Sequence, residues 1–328
     1  MTAAILATIL FSLSAVSGKR LSHYISGVEA NFWRFLLSAF LLGAYAHSFG
    51  AGLGGGALGV FFISGIVGFG VGDYGLFRAY PILGSRLTMV MTQCLAAPIA
   101  AAFEWLWLEN GLSFGQVLAA TAILAGVALA LAPSETTQVD KKHWKAGIMW
   151  GLMSASGQGI GAVLSRKAVS MVEAGATVDG LSQAYQRILG GLTVMAVLLV
   201  FRKMKIRNNG PIQTEVALTP ATVKLVAALI VANALCGPTL GVGAYQWALT
   251  GLPAGIVLSV VALSPLVIIP LAMKFEGERP PVRSLIGAVI AVGGVIVMTN
   301  QVSQSSNPHP SRLNVFSSSV AGRSVTLS

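Results

Sequence analysis

Two arginines, two carboxylates and four side-chain amides interrupt otherwise apolar sequence, and their chemistry needs an explanation. Arg34 and Arg187 each follow aromatic residues, in NFWR and AYQR. An arginine inside a membrane helix costs at least ~2.5 kcal/mol on insertion scales, so it needs an anion, a wet cavity or the headgroup interface. Snorkelling to the headgroups is one reading of the pair; a carboxylate anchor or gate in a cavity is the other. Asp73 and Glu104 are the acidic residues well inside predicted spans. A carboxylate held there is the type of group that binds and releases a coupling proton. A local bridge to Arg78 is the plain alternative for Asp73. Gln93, Gln158, Asn233 and Gln246 are amides in apolar helices, where an unpaired amide is costly, so they pair with one another or face water. Tyr74 and Tyr245 stand at equivalent places, where they would line a cavity.

Enzymatic chemistry finds little to work with. The four histidines, His23, His47, His143 and His309, fall near predicted helix ends or in loops. No Ser/His/Asp or HExxH arrangement appears, so no catalytic residue is assigned. Cys94 and Cys236 lie in apolar segments without CxxC or Cys/His spacing, which gives no support to a metal or cofactor.

The elements that carry these residues are membrane helices. Of 328 residues, 55% are hydrophobic and 10% charged, with mean hydropathy +0.76. That much apolar surface requires lipid as part of the solvent. The formal charge of +10 comes from basic residues in ones to fours between apolar runs, which is loop character and excludes a nucleic-acid partner. Segments near the ~20 residues needed to span a bilayer fall at Thr2–Gly18, Asn31–Ser48, Ala57–Ala79, Leu87–Leu108 and Phe114–Leu131. The second set is Ala146–Ser165, Leu181–Phe201, Ala221–Leu249, Ala254–Met273 and Ser284–Thr299. Met1–Gly18 lacks the basic start of a signal peptide and is read as the first helix.

The two sets repeat one another. Gly70–Tyr74 reads GVGDY and Gly241–Tyr245 reads GVGAY, 171 residues later. Pro98, Glu109 and Gly126 recur as Pro265, Glu276 and Gly293, each 167 residues on. Asp73 answers to Ala244 and Glu104 to Leu271, so any proton role belongs to one half. Residues 1–132 and 146–300 are therefore two five-helix repeats, joined by a linker at 133–145 and followed by a Ser-rich tail at 301–328 that is too polar to fold. A basic loop is expected from Arg202 to Thr214. Pro98, Pro265 and Pro270 are read as kinks, each removing a backbone hydrogen bond. Gly68/Gly72, Gly157/Gly161 and Gly237/Gly241 have the GxxxG spacing of closely packed helices.

The repeated stretches LAAPIAAAFEWLWLENGLS…LAGVALAL and ALSPLVIIPLAMKFEGERP…VGGVIVM resemble the EamA-type branch of the drug/metabolite transporter superfamily. Gly277-Glu278 is similar to that family's Gly-Glu signature, and Glu109-Asn110 is a degenerate copy. The resemblance implies an all-α integral membrane protein of ten transmembrane helices, built as two inverted five-helix repeats around a central cavity. It implies alternating access, export of amino acids or similar small metabolites, and both termini in the cytoplasm. Lys and Arg counts point the other way on orientation, with 14 in the odd-numbered connections and four on the other side. The expected partners are the bilayer of a cell membrane, bacterial inner membrane above all, a small-molecule substrate and a coupling proton or cation. A homodimer stays open. An integral-membrane enzyme and a non-transporting structural subunit are the competing readings.

Overall fold

The computed structural model describes residues 2–108, 114–131, 143–173, 176–209, 219–251, 260–277 and 279–305. Regular structure among them is helical throughout. We number the helices α1 (Thr2–Leu21), α2 (Gly27–Phe49), α3 (58–83), α4 (85–108) and α5 (Phe114–Leu131). The second set is α6 (Trp144–Ser170), α7 (Gly180–Asn209), α8 (220–251), α9 (Ser264–Glu276) and α10 (Val282–Ser305).

Local sequence sets the boundaries. Ser26 caps α2 in a reciprocal box with Glu29. Thr219 caps α8, with Pro220 in the first turn where a missing N–H breaks no bond. Gly277, in the FEGERP stretch, ends α9 in the left-handed conformation with φ 66°. Gly84 separates α3 from α4 with φ 77° and ψ 171°, values that suit glycine alone.

Several sequence-based boundaries move. The gap expected between Ala79 and Leu87 shrinks to the break at Gly84, because Tyr80–Leu83 stay helical with Pro81 in the last turn of α3. The basic run Arg202–Arg207 is not a loop. It continues α7 to Asn209, as suits a run of good helix formers. Arg166 and Lys167 likewise belong to α6, and residues 301–305 of the expected tail extend α10. Most of the expected linker, residues 252–259 of the expected ninth helix, and residues 306–328 lie outside the described residues.

Three π-helical turns interrupt the helices, at Ile66–Gly72 in α3, Val90–Cys94 in α4 and Leu235–Thr239 in α8. Such turns concentrate at functional sites. The first ends at Gly72, inside GVGDY, and the third ends just before GVGAY. One repeated sequence thus produces one repeated irregularity.

Packing follows the repeat. α1 lies against α8 and α9, while α6 lies against α3 and α4; α2 packs on α7 and α5 on α10. Exchanging the two halves maps these pairings onto one another. The glycines make the close approach. A Cβ on Gly157 would stand 2.5 Å from Gly72 Cα, and one on Gly161 2.9 Å from Gly68 Cα. Two GxxxG pairs therefore interlock across α3 and α6. The third pair, Gly237/Gly241 of α8, faces Ser14 and Phe11 of α1.

Thr2–Leu21, Leu58–Phe103, Gly180–Arg207 and Pro220–Ala248 are long and apolar enough to cross a bilayer, and Phe114–Ala130 and Val282–Met298 are shorter apolar helices. Phe40, Trp247 and Val282 are more than 70% exposed, so apolar side chains face outward. This is a multi-pass membrane protein.

A candidate substrate cavity with two unlike arginines

Arg34 lies in α2 and is buried, with its guanidinium 4.7 Å from the centroids of both the Phe35 and Phe77 rings. Its Nη2 bonds Asp73 Oδ2 in an ion pair, and its Nη1 donates to Asn233 Oδ1 at 2.9 Å. The second carboxylate oxygen, Asp73 Oδ1, accepts from Gln158 Nε2 at 3.1 Å. Asn233 in turn donates to the Ser14 carbonyl at 2.6 Å and to Ser17 Oγ at 3.0 Å. A buried ion pair needs partners for its remaining polar atoms, and here five helices from both halves hold the network, with Arg34 Nε left without one. Asp73 therefore pairs with Arg34, not with Arg78. Arg78 reaches the Tyr74 hydroxyl at 3.0 Å instead and stacks over the Tyr74 and Trp150 rings.

Arg187 is the eighth residue of α7, as Arg34 is of α2. It is 6% exposed and lies 5.1 Å from the Phe69 ring centroid. Its Nε is buried without a hydrogen-bond partner, and among the described residues no carboxylate touches it. Asp73 acts on it only at a distance, through its charge.

A cavity of about 220 Å³ lies between the halves. The first half contributes Arg34, Asp73 and Gln93, and the second contributes Gln158, Arg187, Tyr245 and Gln246. The apolar wall includes Phe11, Leu76, Val163 and Val242. The lining runs out to Arg166 and Val169, both exposed near the end of α6, so the cavity reaches the surface there.

The helix connections at the Gly84 break are tied together. The Ser85 amide donates to Glu276 Oε2 at 3.3 Å and the Ser85 hydroxyl bonds Glu276 Oε1. Arg86 Nη1 donates to Ser284 Oγ at 2.8 Å, and Ser284 Oγ donates to the Ala130 carbonyl at 2.8 Å.

The remaining expected site residues lie elsewhere. Asn233 stands behind Arg34 and off the cavity wall, as the Ser14 and Ser17 bonds require. Tyr74 stacks edge-on against Trp150, with centroids 5.8 Å apart. Glu104 belongs to α4, but its side chain lies outside the described set. Pro98 and Pro270 are inside helices, whereas Pro265 stands in the first turn of α9 and starts that helix without kinking it. The sequence reading passed over Thr92 and Tyr80, which also line the cavity; their isolated hydroxyls carried no repeat or charge signal. Among the described residues, no three His, Cys, Asp or Glu side chains gather to hold a metal ion.

An all-helical membrane protein with a charged cavity between two related halves has the build of a carrier. The sequence matches the EamA-like transporter family model over residues 1–132 and 145–300, and the chain belongs to that family, within the drug/metabolite transporter superfamily. Members of the family are transporters. A solved structure described only as the crystal structure of a protein is 15% identical, with a TM-score of 0.56, and covers 93% of this chain and 99% of its own. At that identity the likeness shows the fold alone. No curated protein matches the sequence.

Proposed function

We propose that the protein is a secondary transporter that exports small metabolites by alternating access. In this reading ten helices cross the membrane as two inverted five-helix repeats, with the cavity at the centre. The supporting observation is that both halves build one cavity and one buried network, from Ser14 through Asn233, Arg34 and Asp73 to Gln158. The packing pairs that exchange under the repeat, and the family match in two blocks, support the same symmetry. Substrate sites of secondary transporters lie at such repeat interfaces.

Exposure of Arg166 and Val169 marks one open end. Access from the other side would require the Ser85–Glu276 and Arg86–Ser284 contacts to part. Asp73 is our proposed coupling group, since a proton taken up by its carboxylate would cancel the charge that holds Arg34. Glu104 remains the second candidate.

Counterflow in proteoliposomes with pooled amino acids, organic acids, sugars and nucleosides tests the proposal. Uptake of a labelled compound that depends on unlabelled compound inside is the expected result. No exchange of any pool would favour a structural membrane subunit. Chemical conversion of a pool member would favour a membrane enzyme.

A further inference from the structure

We propose that Arg187 is the binding site for the anionic group of the substrate, and that the substrate class is a small monocarboxylate with an apolar body. The inference rests on the transport reading but concerns the ligand. The two arginines at the cavity differ in one respect. Both terminal nitrogens of Arg34 are engaged, by Asp73 and Asn233, and both oxygens of Asp73 are engaged, by Arg34 and Gln158. The charges of those two groups therefore offset one another. Arg187 is equally buried, faces the same cavity, and has neither a hydrogen bond nor a touching carboxylate among the described residues. A buried charge without a counterion is costly, and a ligand carboxylate bound by the guanidinium fork removes that cost.

The rest of the wall defines the ligand further. Arg166 is exposed at the rim, so among the described buried residues of the wall Asp73 is balanced by Arg34 and the surplus is the single charge of Arg187. Because the charge of Asp73 is already offset by Arg34, a ligand ammonium group meets no uncompensated anion among the described residues of the wall, which disfavours zwitterions and cations. Phe11, Leu76, Val163 and Val242 offer an apolar surface to the body of the ligand. A cavity of about 220 Å³ is smaller than the pockets that hold drug-sized ligands, which begin at about 300 Å³.

Matched probes test this. Purified full-length protein is titrated with 4-methylpentanoate, 4-methylpentanamide and 4-methylpentylamine, and with phenylacetate, phenylacetamide and phenethylamine. Binding is read by thermal shift, and exchange by counterflow in proteoliposomes. The carboxylates should bind about tenfold or more tightly than their amides and amines, the worth of one charge-assisted hydrogen bond. Arg187→Gln should erase that preference, and Arg187→Lys should keep part of it, which separates charge recognition from damage to the fold. Equal binding of amides or amines, an unchanged preference in Arg187→Gln, or no binding of any probe overturns the assignment. Carboxylate binding without exchange would leave the anion site standing and overturn the transport reading alone. Exchange of neutral compounds unaffected by Arg187→Gln would do the reverse.

Discussion

Arg187 occupies in α7 the place that Arg34 occupies in α2, yet among the described residues Arg34 meets a carboxylate and Arg187 does not. The cause is a single difference between the repeats. Asp73 is the fourth residue of GVGDY, just before Tyr74, and the matching residue of GVGAY is Ala244. The acid that neutralises the first arginine has no copy to neutralise the second. Both arginines are buried, and the second is the one we propose as the ligand's anchor.

The Arg34–Asp73 pair should be worth more intact than half-removed. Arg34→Gln leaves Asp73 buried without its cation and should lower stability by about 3–5 kcal/mol. Arg34→Gln with Asp73→Asn should recover much of that loss. Melting temperatures of the detergent-purified variants check this, and equal stability of the single and double variants would refute it. Transport should fall in Arg34→Gln as in Arg187→Gln.

Coupling should track the carboxylates. Asp73→Asn or Glu104→Gln is expected to lose accumulation driven by a pH gradient while still exchanging substrate. If both variants concentrate substrate under a pH gradient alone, coupling uses another ion or none, and a facilitator becomes the better description.

The glycine crossing between α3 and α6 should be intolerant of bulk. A leucine at Gly157 would drive its side chain into the Gly72 backbone, and expression and monodispersity should collapse. Gly59, whose Cβ would meet nothing within 4 Å, is the control, and Gly59→Ala should behave as the parent does.

Orientation can be read from the basic end of α7. A reporter active only in the cytoplasm, fused after Arg207, should give signal if the Lys/Arg bias governs insertion. Silence there, with signal from a fusion after Gln301, would give the opposite orientation, with both termini inside.

Asp179 introduces a pH dependence outside the cavity. It precedes α7 and its burial alone would raise the carboxyl pKa. Bonds from the Ser182 hydroxyl and from the Ser182 and Leu181 amides outweigh that, so the pKa is lowered. A depressed carboxyl stabilises the fold above its unfolded value of about 3.9, and the contribution fades as pH falls below it. Asp179→Ala should cost about 1 kcal/mol at neutral pH, as for a lost helix cap, and the gap to the parent should narrow below about pH 4. A gap that widens in acid would exclude this cap.

The helices were legible because their signals are local and repeated. Apolar length placed them, the Thr219-Pro220 cap held, and GxxxG spacing marked the glycines that interlock. The cavity was only partly legible. Arg34, Arg187, Gln158 and Asp73 stood out as polar groups in apolar runs, but their partners were set by which helices touch. Asp73 looked local to Arg78, five residues on, whereas α2 brings Arg34 to it from 39 residues away. Asn233 was expected on the wall and instead braces Arg34, because no pattern within α8 indicates which neighbour its amide will meet. The basic end of α7 was misread because charge marks a membrane boundary without ending a helix.

The unmatched Asp73 has one more consequence. In a carrier whose inverted halves were identical, the inward-facing and outward-facing forms would be related by a two-fold rotation and equal in free energy, and empty carriers would divide evenly between them. With Asp73 in one half and Ala244 in the other, the two forms place a single negative charge in unlike surroundings. Under the proposed alternating-access reading, their resting populations should differ, and a change in pH should shift the balance before any substrate arrives.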